Sequence, residues 1–138
     1  MQGSPVLRAA AVALVDLALV LAFAAIGRVS HGEDLGFGGL ARTVWPFAAA
    51  WLLAWVGIVS FRRRRERCAG LGVGVRVWAV VVLVGLVLRH ATGGGVQPSF
   101  VVVTAVALGV FLLGWRGVAA AVDRSRGRHP VPVATRRS

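Results

Sequence analysis

The sequence predicts an all-α integral membrane protein, a four-helix bundle. Two observations lead to this fold class. The chain is 57% hydrophobic, with a mean hydropathy of +0.77, and a helix that spans a bilayer needs about 20 apolar residues. Its apolar residues are concentrated in four long stretches, residues 9–27, 44–61, 77–88 and 100–115.

The distribution of arginine predicts the topology of these segments. The chain has sixteen arginines and no lysine, and short cytoplasmic loops retain an excess of such cations. The amino terminus holds one arginine, the second connection six and the tail six, whereas the first connection holds two and the third one. We therefore expect both termini on the cytoplasmic side of the cell membrane.

The net charge of +11 is interpreted in the same way. Basic segments beside a membrane attract anionic lipid headgroups, so we expect such contacts at the cytoplasmic face and no binding of nucleic acid. The predicted organisation is one membrane domain, residues 1–118, and a basic cytoplasmic tail, residues 119–138. Because the tail is charged and contains Pro130 and Pro132, we expect it to be disordered.

The first predicted helix covers residues 6–27, after Ser4 and Pro5, which suit a cap and a first turn. A cleaved signal peptide is the alternative, because Arg8 precedes an apolar run. The length of that run and the acid Asp16 at its centre favour a permanent anchor.

The second helix is predicted over residues 43–61, following a glycine-rich external loop. Thr43 is its expected cap, and Pro46 then falls in the first turn. Trp51 and Trp55 lie one turn apart on one face, which is typical of lipid-facing or packing residues.

The third and fourth helices are joined by a short glycine-rich turn, which makes them antiparallel neighbours. Arg76 and Arg89 are about 20 Å apart along the third helix, against about 30 Å of hydrocarbon. Either both side chains reach the interfaces, or the helix begins near Cys68, uses Gly70 and Gly74 for close packing, and submerges Arg76. The predicted ranges are 73–91 and 98–117.

Asp16 is the one acid inside a predicted span. A carboxylate there must be protonated, paired or in contact with water. A structural bond to Arg76 or Thr104 is one interpretation, and handling of a proton or ion is the other. The scarcity of other polar residues in the spans favours the structural bond.

Polar residues in the two external connections form a second candidate group. They suit a solvated ion-pair network, or else a site that binds an anion or senses pH. No spacing typical of a catalytic triad, phosphate loop, metal site or haem site is present, so we predict no enzyme activity and no cofactor. The group comprises Arg28, His31, Glu33, Asp34, Arg42, Arg89 and His90.

Several short motifs together resemble the family called domain of unknown function 3054, over residues from about 10 to 117. They are Asp16, GRVSHG at 27–32, TVWPF at 43–47, LRHATGGG at 88–95, PSFVVV at 98–103 and LLGWR at 112–116. The resemblance implies a small four-helix membrane protein without an assigned activity. It marks as residues worth testing Asp16, Arg28, His31, Pro46, Arg89, Phe100 and Trp115, whereas Arg76 is not a family feature.

The leading functional hypothesis is a non-enzymatic interaction or accessory component of the membrane, acting as a homo-oligomer or with another membrane protein. A small proton-coupled transporter or channel that uses Asp16 is the alternative. Such a protein would resemble the small multidrug exporters, although those insert in both orientations. A third hypothesis is a lipid-acting enzyme that uses His31 or His90 with Glu33 or Asp34.

Overall fold

The computed structural model describes residues 5–30, 36–61 and 68–126. Within these ranges the chain is helical apart from short connections, which confirms the predicted all-α class. The helices are α1 (Pro5–Ser30), α2 (Phe37–Phe61), α3 (Leu71–Ala91) and α4 (Pro98–Arg126).

Each of the four helices is long and apolar enough to cross a membrane. The outside of the bundle is also apolar: Leu52, Leu53 and Val56 on α2 are each more than half exposed. A soluble monomer rarely leaves so much contiguous apolar surface in water, whereas lipid chains cover it without cost. The four helices therefore indicate a multi-pass membrane protein.

The helices form a ring in chain order. Neighbours along the chain pack against each other, α4 closes the ring against α1, and the α1–α4 interface is the smallest. We call the end that contains Pro5 and Arg126 the terminal end, and the end that contains the α3–α4 connection, residues 92–97, the turn end.

The second helix begins six residues earlier than predicted. Thr43 is therefore not a cap: it lies inside α2, where its hydroxyl donates to the Gly39 carbonyl at 3.2 Å. Pro46 is buried in the helix interior instead of lying in its first turn. The first intrahelical hydrogen bond runs from Leu40 N–H to Gly36 C=O at 3.0 Å. The helix extends back to Phe37 because such bonds pair the backbone N–H and C=O groups without solvent.

The fourth helix also differs from the prediction, because it runs past the expected end at 117 to Arg126. The first part of the predicted disordered tail, residues 119–126, is thus helical. Ala119, Ala120 and Ala121 are strong helix formers and extend the helix. The rest of that predicted tail, from residue 127 onward, lies outside the described residues.

The third helix begins at Leu71, directly after the extended residue Gly70. Its other end is a tight turn, as predicted: Gly94 N–H donates to the Arg89 carbonyl at 2.9 Å, and Gly93 adopts a φ of 78°. That left-handed conformation favours glycine. The short turn sets α4 antiparallel to α3.

The core among the described residues is mainly aliphatic, with Phe23, Phe47 and Trp55 as its buried aromatic side chains. Phe23 of α1 and Phe47 of α2 meet edge to face, with ring centroids 5.7 Å apart. Phe47 is completely buried and lies against Gly85 of α3, where a Cβ atom would come within 2.5 Å of its ring. Three helices thus pack around one phenylalanine.

Candidate functional site

A buried ion pair joins α1 to α4. The two terminal nitrogens of Arg116 each donate to one oxygen of Asp16, both at 2.7 Å. Both side chains have 0% exposure. A bidentate arginine–carboxylate pair is the strongest charged hydrogen-bonding arrangement available to side chains.

Two indoles complete the surroundings of the carboxylate. Trp55 of α2 donates its Nε1–H to Oδ2 of Asp16 at 3.2 Å, and Trp115 of α4 donates to Oδ1 at 3.0 Å. Each oxygen therefore accepts two hydrogen bonds. A carboxylate has about four lone-pair sites, so its acceptor capacity is filled by protein donors.

Arg116 is held by its own helix as well. One terminal nitrogen also donates to the Leu112 carbonyl at 2.8 Å, and the guanidinium carbon lies 4.7 Å from the centroid of the Trp115 ring. Its Nε is buried with no hydrogen-bond partner within the described ranges.

Gly74 of α3 makes room for Arg116. A Cβ atom at this position would lie 2.5 Å from Cδ and 3.0 Å from Nε of Arg116, closer than packed atoms approach. The arginine therefore occupies the space that a side chain on α3 would need. Since Asp16 comes from α1 and Trp55 from α2, all four helices build this site.

The sequence-based prediction of the partner of Asp16 was wrong. Arg76 is exposed on α3, because it is two residues beyond Gly74 and so points about 200° around the helix. Thr104 is buried on α4, but its hydroxyl has no hydrogen-bond partner among the described residues. Arg116 lies within the predicted range of the fourth helix, but it is not one of the two partners that the sequence suggested.

A sequence signal for this partner existed. The run from Val118 to Val122 contains only valine and alanine, which predicts that the helix continues past Arg116. An arginine inside a continuing apolar helix requires an anion, and Asp16 is the one acid inside a predicted span. What the sequence did not contain was the alignment of α1 with α4.

Arginines also mark the turn end, in a more polar setting. Arg28 near the end of α1 donates through Nη1 to the Gly39 carbonyl at 3.1 Å and to Oγ1 of Thr43 at 3.0 Å. These bonds join α1 to the first turns of α2.

Arg89 at the end of α3 has a comparable role in the α3–α4 connection. Its Nε donates to the Gly95 carbonyl at 3.2 Å, and its guanidinium carbon lies 4.7 Å from the centroid of the Phe100 ring. Its two terminal nitrogens make no hydrogen bond within the described part of the chain.

Arg28 and Arg89 line one cleft of about 440 Å³ at the turn end. Of the predicted external group, the cleft includes these two residues, while Arg42 and His90 are exposed and do not line it. His31, Glu33 and Asp34 lie outside the described residues. The full lining is Phe23, Ala24, Gly27, Arg28, Thr43, Phe47, Arg89, Gly95, Gln97, Ser99, Phe100 and Val103.

The remaining candidates pack inside the bundle. Pro46 is buried on α2 beside Phe47. The Trp51 indole, half buried, donates to the Ala13 carbonyl at 3.2 Å, so Trp51 and Trp55 are packing residues and not lipid-facing ones. Within residues 5–30, 36–61 and 68–126, no three histidine, cysteine or acidic side chains cluster as a metal site would require.

The fold and these two regions define a class: a four-helix multi-pass membrane protein with a charged pair buried between its helices. A family model described as "protein of unknown function (DUF3054)" matches residues 13–119, and the chain belongs to this family. The sequence-based resemblance is thereby confirmed. No curated protein and no solved structure matches the chain.

Proposed function

We propose that this protein is a non-enzymatic interaction or accessory component of the plasma membrane, with both termini cytoplasmic. Its basic terminal end binds anionic headgroups, and its apolar outer faces pack against a second copy or another membrane protein. The observation that carries this proposal is the saturated carboxylate of Asp16.

A proton carrier must exchange its proton with water on both sides of the membrane. The Asp16 carboxylate instead accepts four hydrogen bonds from protein donors. A proton added to either oxygen would point at one of these donors and compete with its hydrogen bond. The guanidinium of Arg116 also neutralises the charge, so folding does not require the acid to be protonated. This arrangement supports a structural role.

The sparse polarity of the interior supports the same conclusion. Among the described residues, the buried polar side chains are Asp16, Thr104 and Arg116. A pathway for a hydrophilic solute needs a continuous polar lining, and three side chains around one closed ion pair are too few to supply it within one bundle.

Proton flux in liposomes that contain the purified chain tests the proposal against the transporter alternative. We expect the decay of an imposed pH gradient to match that of protein-free liposomes. Faster decay that is abolished in Asp16→Asn and retained in Arg124→Gln, an exposed matched control, would establish the transporter instead.

Cysteine accessibility tests the proposed orientation. With Arg116 set aside, the amino terminus, the second connection and the segment after α4 residue 116 still hold twelve arginines in the sequence, against three in the other two connections, which supports one orientation. In a Cys68→Ala background, Gly38→Cys at the turn end should react with an impermeant maleimide in intact cells. Ser125→Cys should react only after permeabilisation; labelling of both from outside would contradict the proposal.

A further inference from the structure

We propose that the turn-end cleft is a binding site for an anionic phospholipid, with the phosphate at Arg89 and an acyl chain along Phe100 and Val103 of α4. This site lies at the opposite end of the bundle from the basic termini. It requires the chain to lie in a bilayer, but it does not depend on which face the termini occupy.

The described lining of the cleft is cationic. It contains two arginines together with Gln97, Ser99 and Thr43 as hydrogen-bonding side chains, and neither aspartate nor glutamate. Its charge and donors therefore match a phosphate diester, which presents only acceptors.

Arg89 is positioned to bind before a ligand arrives. Gly95 holds its Nε and the Phe100 ring lies beside its guanidinium plane, while both terminal nitrogens remain available within the described chain. A guanidinium presents these two nitrogens as a planar fork that fits two oxygens of a phosphate. The Arg89 side chain would therefore lose little conformational entropy when it binds a phosphate.

The apolar part of the lining distinguishes a lipid from a free anion. Phe23, Phe47 and Val103 lie deeper along the helices than the arginines, away from the turn end. Val103 is 59% exposed on α4, so the cleft is continuous with the apolar outer surface of the bundle. A bound molecule thus meets charge at one end and hydrocarbon surroundings at the other, which is the pattern of an amphiphile.

The packing of the bundle explains why a cleft lies here. The α1–α4 interface is the smallest in the ring, and its hydrogen-bonded contact is the Asp16 site, which is nearer the terminal end. Towards the turn end, α1 and α4 are separated by the cleft, which Gly27 of α1 and Ser99 of α4 line. The volume of about 440 Å³ is within the range of small-molecule sites.

Native mass spectrometry of the purified full-length chain in neutral detergent tests this site. Titration with phosphatidylglycerol should produce a one-lipid adduct at concentrations where phosphatidylcholine with the same acyl chains does not. Arg89→Gln should weaken the adduct about tenfold, as expected for loss of charged hydrogen bonds. Arg42→Gln, an exposed α2 arginine at the same end that does not line the cleft, should leave it unchanged.

A second variant, Gly27→Leu, keeps both arginines and fills part of the cleft with a side chain. No described atom lies within 4 Å of a Cβ atom built at Gly27, so Gly27→Leu should fold, with an unchanged melting temperature, and still weaken the adduct. Unchanged binding in Gly27→Leu, equal losses in Arg89→Gln and Arg42→Gln, or equal binding of the two lipids would each overturn the proposal. Displacement of the lipid by glycerol phosphate at similar concentration would assign the site to a soluble anion and overturn it too.

Discussion

The Asp16 site and the turn-end cleft both use arginine to connect helices, yet the two regions differ in the groups that surround the guanidinium. Arg116 faces a carboxylate and is completely buried. Arg28 and Arg89 face carbonyl groups, a hydroxyl and an aromatic ring, and line an open cleft. A guanidinium enters an apolar interior only when an anion neutralises it. The pair with Asp16 therefore allows Arg116 to be completely buried, whereas Arg28 and Arg89 lie at the open end of the bundle.

The largest expected effect comes from breaking the ion pair. Arg116→Met leaves the Asp16 carboxylate buried without a counterion, and we expect a loss of about 3–5 kcal/mol in the free energy of unfolding. Denaturation of the protein in mixed micelles measures this loss. The double variant Asp16→Leu with Arg116→Met should be more stable than Arg116→Met alone.

The corresponding substitution in the cleft sharpens the comparison. Arg89→Met should cost less than about 1 kcal/mol, because a partly exposed arginine bound to a carbonyl contributes little. Equal losses for Arg89→Met and Arg116→Met would show that burial of the charge is not what separates the two regions.

Closing the space on α3 beside Arg116 should have a smaller effect than breaking the ion pair. Gly74→Ala places a methyl group against the arginine stem and should destabilise the bundle by about 1–3 kcal/mol, the usual cost of overpacking. The control is Gly72→Ala on the same helix, where a Cβ atom meets nothing within 4 Å. Thermal unfolding should separate the two variants, and a matched pair of melting temperatures would refute the close contact.

Two indole hydrogen bonds allow the strength of a bond to a carboxylate to be compared with that of a bond to a backbone carbonyl. Trp115→Phe removes a bond to a carboxylate and should cost about 1.5–3 kcal/mol, whereas Trp51→Phe removes a bond to the Ala13 carbonyl and should cost about 0.5–1.5 kcal/mol. Chemical unfolding of both variants gives the difference. A larger loss for Trp51→Phe would contradict the stronger hydrogen bond expected at the Asp16 carboxylate.

Small effects of different sign are expected at two threonines. Thr43→Val removes the hydroxyl that accepts from Arg28 and should cost about 1 kcal/mol. Thr104→Val should be neutral or stabilising, because this buried hydroxyl has no partner in the described part of the chain. Paired unfolding measurements check both signs, and destabilisation by Thr104→Val would point to a partner beyond the described residues.

The helix boundaries show where local sequence signals fail. Thr43 and Pro46 have the residue types of a helix start, yet α2 begins at Phe37. In an apolar environment the backbone continues its own hydrogen bonds past such signals. The end of α4 likewise lies beyond the predicted residue 117, because the helix continues through Ala119, Ala120 and Ala121 to Arg126.

The sequence by itself determined that this chain forms four apolar helices of membrane-spanning length, and that Asp16 needs a partner, since hydropathy and the cost of burying a charge are properties of single segments and residues. Only the tertiary structure decided that the partner is Arg116 and that Arg28 and Arg89 share a cleft. Those pairings depend on the docking of α1 against α4 and on the absence of a side chain at Gly74. The periodic pattern of residues within one helix does not specify how that helix contacts its neighbours.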